Sequence, residues 1–156
     1  MKTNEIILLN LKEIRRRSEI VWAGLPVCNY KMKPDLKAMT CLESVRHVLE
    51  SQHLFHVIVK NRGNLGDYLS PWENRKYTSV QDELEFAEPF KNDFYQMIEY
   101  CDENDFDTIE IIRTEVNQRR KLGDYLLRIA FHESVHLGQL LDYYRTMGIV
   151  RPNIWD

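Results

Sequence analysis

Four long stretches of this chain repeat apolar side chains at three- and four-residue spacing, a pattern that makes it an all-α helical bundle. The first, about 4–23, aligns Ile7, Leu8, Leu11, Ile14, Val21 and Trp22, with Asn4 read as N-cap and Gly24 and Pro26 as the stop. The second, about 41–60, opens on Thr40-x-x-Glu43. In that pattern the hydroxyl and the carboxylate satisfy each other's orphan amides. The third, about 79–103, has Thr78 or Ser79 as N-cap and Asp82, Glu83 and Glu85 near the positive end of the helix dipole. Its inward stripe is Phe86, Phe90, Phe94, Met97, Ile98 and Cys101, and Pro89 predicts a kink or a break. The fourth, about 122–147, is closed by Gly148.

The connections are long and irregular. Residues 25–37, with Pro26 and Pro34, are too broken for another major element. Residues 61–77 carry Gly63, Gly66 and Pro71, and also Tyr68 and Trp72, which must pack somewhere. A segment of that length either lets the third helix run parallel to the second or covers a pocket as a lid. Residues 106–117 are β-branched and alternating and read as extended chain, a lone strand or a hairpin arm; since one strand makes no sheet alone, they are taken as an extended connection lying along the bundle. No internal repeat is visible, and residues 1–156 read as one domain.

Composition removes several function classes. Hydrophobic residues make up 44% and charged residues 29%, which is a globular and not a disordered balance. A net charge of −3 argues against nucleic acid as partner. Arg15-Arg16-Arg17 is offset by Glu13 and Glu19, and Arg119-Arg120-Lys121 reads as a short solvated run. No run of about 18 apolar residues is present to span a membrane, and the N-terminus has no signal-peptide pattern. Three cysteines, Cys28, Cys41 and Cys101, without CxxC spacing, fit a reducing, cytoplasmic setting in which each is a small packing side chain.

The chemistry concentrates in IAFHESVHLGQLLDYYR, residues 129–145. His132 and His136 are four apart and so share a helix face with Tyr125, Ile129, Leu140 and Tyr143. A buried imidazole needs a hydrogen-bond partner or a metal, because an unsatisfied polar group costs on the order of 1–3 kcal/mol. By spacing alone the pair is either two metal ligands or two polar residues of the bundle. The run also matches HExxH, which would make Glu133 the base of a metal-dependent hydrolase. No further His or acidic ligand of a protease follows before the chain ends, which counts against that alternative. Three other histidines, His47, His53 and His56, lie on the second helix. The helical wheel puts His56 within the apolar arc, His47 at its edge beside small Ser44 and Ser51, and His53 on the polar side.

Leu122-Gly-Asp-Tyr-Leu126, His132-Glu-Ser-Val-His136-Leu-Gly-Gln139 and Tyr144-Arg145-x-x-Gly148-x-x-Arg151-Pro152 resemble the C-terminal signature of the DinB/YfiT-like proteins. Upstream, Ser44-Val-Arg-His47-Val-Leu-Glu50 is similar to that family's first-ligand segment. The resemblance implies a four-helix bundle holding a divalent metal, zinc or nickel, on three histidines: His47, His132 and His136, with His56 as the fallback third ligand and His53 on the surface. It further implies a transferase that activates a low-molecular-weight thiol of the bacillithiol or mycothiol kind toward small electrophiles. A metal-binding bundle without catalysis, serving as a binding or dimerisation module, is the alternative, and a homodimer fits either. The family's usual Arg after the second His is Leu137 here, an outward change on this reading. Gln139 keeps its place, either orienting a ligand or ending a packing motif.

Overall fold

The computed structural model describes residues 1–155. Its order is α1 (Thr3–Ala23), α2 (Cys41–Lys60), α3 (Val80–Glu99), α4 (Asp105–Thr108), β1 (Glu110–Arg113), β2 (Gln118–Lys121) and α5 (Leu122–Thr146). The four long helices close around one apolar cluster that includes Leu11, Val45, Phe94 and Leu126. α1 packs on α3 and α5, and α2 packs on the same two.

Side-chain pairs give the helix directions. Arg46–Glu83, His53–Phe90 and His56–Phe94 ascend together, so α3 runs parallel to α2. His47–His136 and Phe55–Tyr125 run oppositely, so α5 is antiparallel to α2. Arg15–Glu133 and Val21–Tyr144 make α1 and α5 parallel. The bundle is therefore up-down-down-up. A helix of about twenty residues is about 30 Å long, so parallel neighbours in sequence need a chain that returns the whole way. Residues 61–79 do this. Trp72, 2% exposed, plugs the return segment into the bundle and donates its Nε1–H to Glu83 Oε2 at 3.2 Å. Arg46 holds it from below, donating to the Arg75 and Lys76 carbonyls at 2.6 and 2.8 Å while paired to Glu83.

Local signals place most boundaries. Thr40 and Glu43 form the expected reciprocal cap. Ser79 Oγ accepts from the Asp82 amide at 3.0 Å. Gly148, at φ +69, ends α5, with its amide on the Arg145 carbonyl and the Ile149 amide on the Tyr144 carbonyl. Other expectations are corrected. The N-cap of α1 is Lys2, and Asn4 instead reaches across to donate to the carbonyl of Glu99, the last residue of α3. α3 stops at Glu99 and not near 103, and it passes the exposed Pro89 without a break into two helices. Cys28 is exposed, while Cys41 is buried and Cys101 half-buried.

The largest correction is at 106–121. The expected extended connection is a short helix followed by a hairpin in which Glu110 faces Lys121 and Arg113 faces Gln118. The run Arg119-Arg120-Lys121 lies in the second strand after Gln118, and Asn117 makes the turn before it at φ +49. A tether fixes the hairpin to the end of α2: the Ile112 amide donates to the Arg62 carbonyl at 3.0 Å. Only glycine fits at Gly63, since a Cβ there would lie 2.3 Å from the Ile112 oxygen.

Candidate metal centre

His47 from α2 and His132 and His136 from α5 meet on one flank of the bundle. One ligand-capable atom of each lies within 4.8 Å of those of the other two, and all three rings are half-buried. Ring centroids are 5.2 Å apart for His47–His132, 4.5 Å for His47–His136 and 4.6 Å for His132–His136. His132 and His136 converge because they are one helical turn apart. His47 joins them from α2, where small Ser44 and Ser51, both buried, lie three before and four after it on the same helix face.

The two Nε2 atoms of His132 and His136 are 3.2 Å apart. Two nitrogens bound tetrahedrally to one zinc at about 2.0–2.1 Å would be separated by about 3.3 Å, so the pair already has the right spacing. Without metal, the same two atoms can share one proton. His136 Nδ1 lies 2.8 Å from Gln139 Oε1. In the tautomer that frees Nε2, Nδ1–H donates to that amide oxygen, which fixes the ring. Burial, with His136 and His47 nearby, lowers the His132 imidazole to about 4. Burial and then His136 also lower His47. Neutral imidazole is the form that binds a metal.

The other candidates lie elsewhere. His56, 7% exposed, packs on Phe94 toward α3 and is not in the cluster. The helical wheel located its burial correctly, but the residue at the edge of the face is the one that reaches α5. His53 is not on the surface. It is half-buried against Phe90 at 4.5 Å, between Tyr68 and Trp72 of the return segment. That segment, absent from helical-wheel reasoning, covers the side that looked polar.

Glu133 is 3% exposed and points away from the histidines into the bundle. Arg15 grips it by two bonds, Nε to Oε1 at 2.9 Å and Nη2 to Oε2 at 3.0 Å, and Arg15 Nη2 also reaches Gln52 Oε1 at 3.2 Å. Arg15 is thus a buried partner of Glu133, whereas Arg16 and Arg17 do pair with Glu13. A carboxylate held in this way is not a base for a metal-bound water, and the hydrolase alternative is set aside. Leu137, 5% exposed, faces the core and not outward. Sequence reasoning missed the Arg15–Glu133 pair. Its only trace is a charge at a core position of each helix.

Comparison with known proteins agrees with this architecture. The DinB superfamily model matches residues 10–140. The uncharacterized protein YjoA of Bacillus subtilis (strain 168) is 33% identical over 121 residues, covering 77% of this chain and 75% of that protein. The crystal structure of YjoA, described as a DinB-like protein, superposes with a TM-score of 0.70 at 25% identity, covering 95% of this chain and 96% of that one. With the matched family model reaching from within the first long helix to within the last, the chain belongs to the DinB superfamily.

Proposed function

We propose that His47, His132 and His136 hold a divalent ion, zinc or nickel, and that the protein transfers a low-molecular-weight thiol of the bacillithiol type to small electrophiles. The observation that carries the metal reading is a donor set of three imidazoles, with no carboxylate or thiolate in the group found among the described residues. Imidazole suits zinc and nickel, and three protein nitrogens leave at least one position of a tetrahedral ion open. A bound ion would supply the Lewis acidity that favours the thiolate of a small thiol.

The chain's own residues keep the site ready. Gln139 orients His136, and burial keeps His132 unprotonated. Phe55 packs edge-on to His132 at 5.4 Å and shields it from water. The thiol comes from outside. Cys41 is buried, with its thiol pushed up to about 11, and neither Cys28 nor Cys101 is in the cluster. In the transfer, the thiol proton leaves to solvent, a sulfur–carbon bond forms, and the leaving group departs with its electron pair.

The test is elemental analysis of the purified protein beside a His132→Ala, His136→Ala variant, followed by a screen of thiols against electrophiles. About one metal per chain, lost in the variant, together with thiol-dependent turnover, supports the reading. Metal without turnover, and a Ni(II) absorption spectrum unmoved by thiol, would leave a non-catalytic metal-binding bundle. No metal even after reconstitution overturns both.

A further inference from the structure

Tyr77 stands between two hollows. One, of about 410 Å³, is lined by Lys33, Lys37, His47 and Glu50 among others. The other, of about 530 Å³, is lined by Val27, Lys31 and Leu42 among others. Tyr77 and Glu43 line both, so the hollows adjoin across Tyr77 as a two-part trough, and the Lys33–Lys37 part is also lined by the candidate metal ligand His47. Each falls within the range of roughly 300–1,000 Å³ usual for small-molecule sites.

The Tyr77 ring is 50% exposed, yet it is pinned. The Arg46 guanidinium lies over it at 3.6 Å, and Arg46 is itself fixed by Glu83 and by the Arg75 and Lys76 carbonyls. A held aromatic ring open to a hollow is a stacking surface whose ordering cost is met in the free protein.

The charges around it are of both signs, and none of these lysines is in an ion pair among the described residues. Glu43 accepts the Thr40 amide at 2.7 Å, and Glu50 accepts the Ser70 hydroxyl. The lysine ion pairs of the described residues are Lys91–Glu88 and Lys121–Glu110. Lys31, Lys33 and Lys37 are in neither. Lys33 helps to lower Glu43 only from a distance. Lys33 Nζ donates to the Leu36 carbonyl at 3.1 Å, a neutral partner that leaves its charge uncompensated, and Glu43 and Glu50 keep theirs, so the trough is cationic at Lys33 and Lys37 and anionic at Glu43 and Glu50.

We propose that this trough binds a small anionic molecule with a flat apolar body. The body lies on Tyr77 and in the Val27–Leu42 hollow, and the anionic group meets Lys33 and Lys37 at the His47 end. Its role as the acceptor subsite rests on the proposed metal site; the binding itself does not.

The probe is 8-anilinonaphthalene-1-sulfonate, titrated by fluorescence into the full-length protein with chelator present. Saturable one-to-one binding is expected. Tyr77→Ala should weaken it at least fivefold and a Lys33→Glu, Lys37→Glu pair at least tenfold, while Tyr77→Phe should leave it within twofold. Circular dichroism of each variant checks the fold. Phe131→Ala removes the most exposed aromatic side chain of α5 (71% exposed) and should change nothing. Equal affinity in all trough variants, or loss in Phe131→Ala alone, overturns the proposal. In protein loaded with Co(II), the probe should shift the visible absorption. A shift absent while trough binding persists overturns the subsite role alone, and absence of Co(II) binding counts against the metal reading and not the trough.

Discussion

Arg15 of α1 and Glu133 of α5 form a two-bond ion pair at the centre of the bundle, with side chains 5% and 4% exposed. The pair sets the rotation of α5 from behind, one residue after His132. Glu133→Gln would leave the Arg15 charge buried without its counter-charge, a loss of about 3–5 kcal/mol. Urea unfolding should show a drop of that order. The folded fraction should still bind metal at the wild-type stoichiometry, and loss of metal from folded protein would contradict a Glu133 that faces Arg15 and not the histidines.

Gln139 acts on the ligand and not on the fold. It is exposed, and its amide oxygen meets His136 Nδ1. Gln139→Ala should weaken metal affinity about 10- to 100-fold while leaving the melting temperature of metal-free protein within about 1 °C. Competition with a chromophoric chelator measures the first and calorimetry the second.

Acid should destabilise the metal-free protein. Burial first, then Lys60 and His53, lowers His56 to about 4, and burial lowers His132 to about 4. In the unfolded chain both titrate near 6.5. Between those values the unfolded state binds protons that the folded state does not, so stability falls as pH drops through this window. For His56 the depression corresponds to roughly 3 kcal/mol. Urea midpoints taken from pH 7 to 4 in chelator should decline, and His56→Leu should flatten the decline. An unchanged slope in that variant would remove His56 as a source.

The return segment depends on Trp72. Trp72→Ala empties a site that is 2% exposed and leaves Glu83 with one donor fewer. The expected cost is about 3–5 kcal/mol, or roughly 6–20 °C of melting temperature. Proteolysis should then cut first within 61–79. Cleavage elsewhere would show that the segment is not what Trp72 secures.

Gly63→Ala tests the tether between α2 and the hairpin. A Cβ 2.3 Å from the Ile112 oxygen cannot be accommodated without moving backbone. Faster hydrogen exchange at the Ile112 amide is expected, with the exchange of α1 unaffected. Protection retained at Ile112 would mean that the hairpin shifts as a unit.

Where the determinants were local, the sequence was enough. Helix periodicity, the Thr40–Glu43 cap, the Gly148 stop and the one-turn spacing of His132 and His136 are set by residues within a few positions of one another, so they can be read along the chain. Periodicity already implied the bundle; the DinB resemblance singled out His47, which the helical wheel placed at the edge of a face centred nearer His56. What the sequence left open depends on partners far away in the chain. Arg15 and Glu133 are 118 residues apart, and the pairing that turns Glu133 from a candidate base into a buried counter-ion exists only once α1 and α5 pack. His53 is polar on the wheel of an isolated helix and half-buried once Trp72 and Tyr68 close over it. The hairpin needed its second strand, and Gln118-Arg119-Arg120-Lys121 has no apolar alternation to mark it as one until it pairs with Glu110–Arg113. Side-chain burial and charge pairing depend on the whole surface around a residue, and the sequence by itself specifies only the nearest part of that surface.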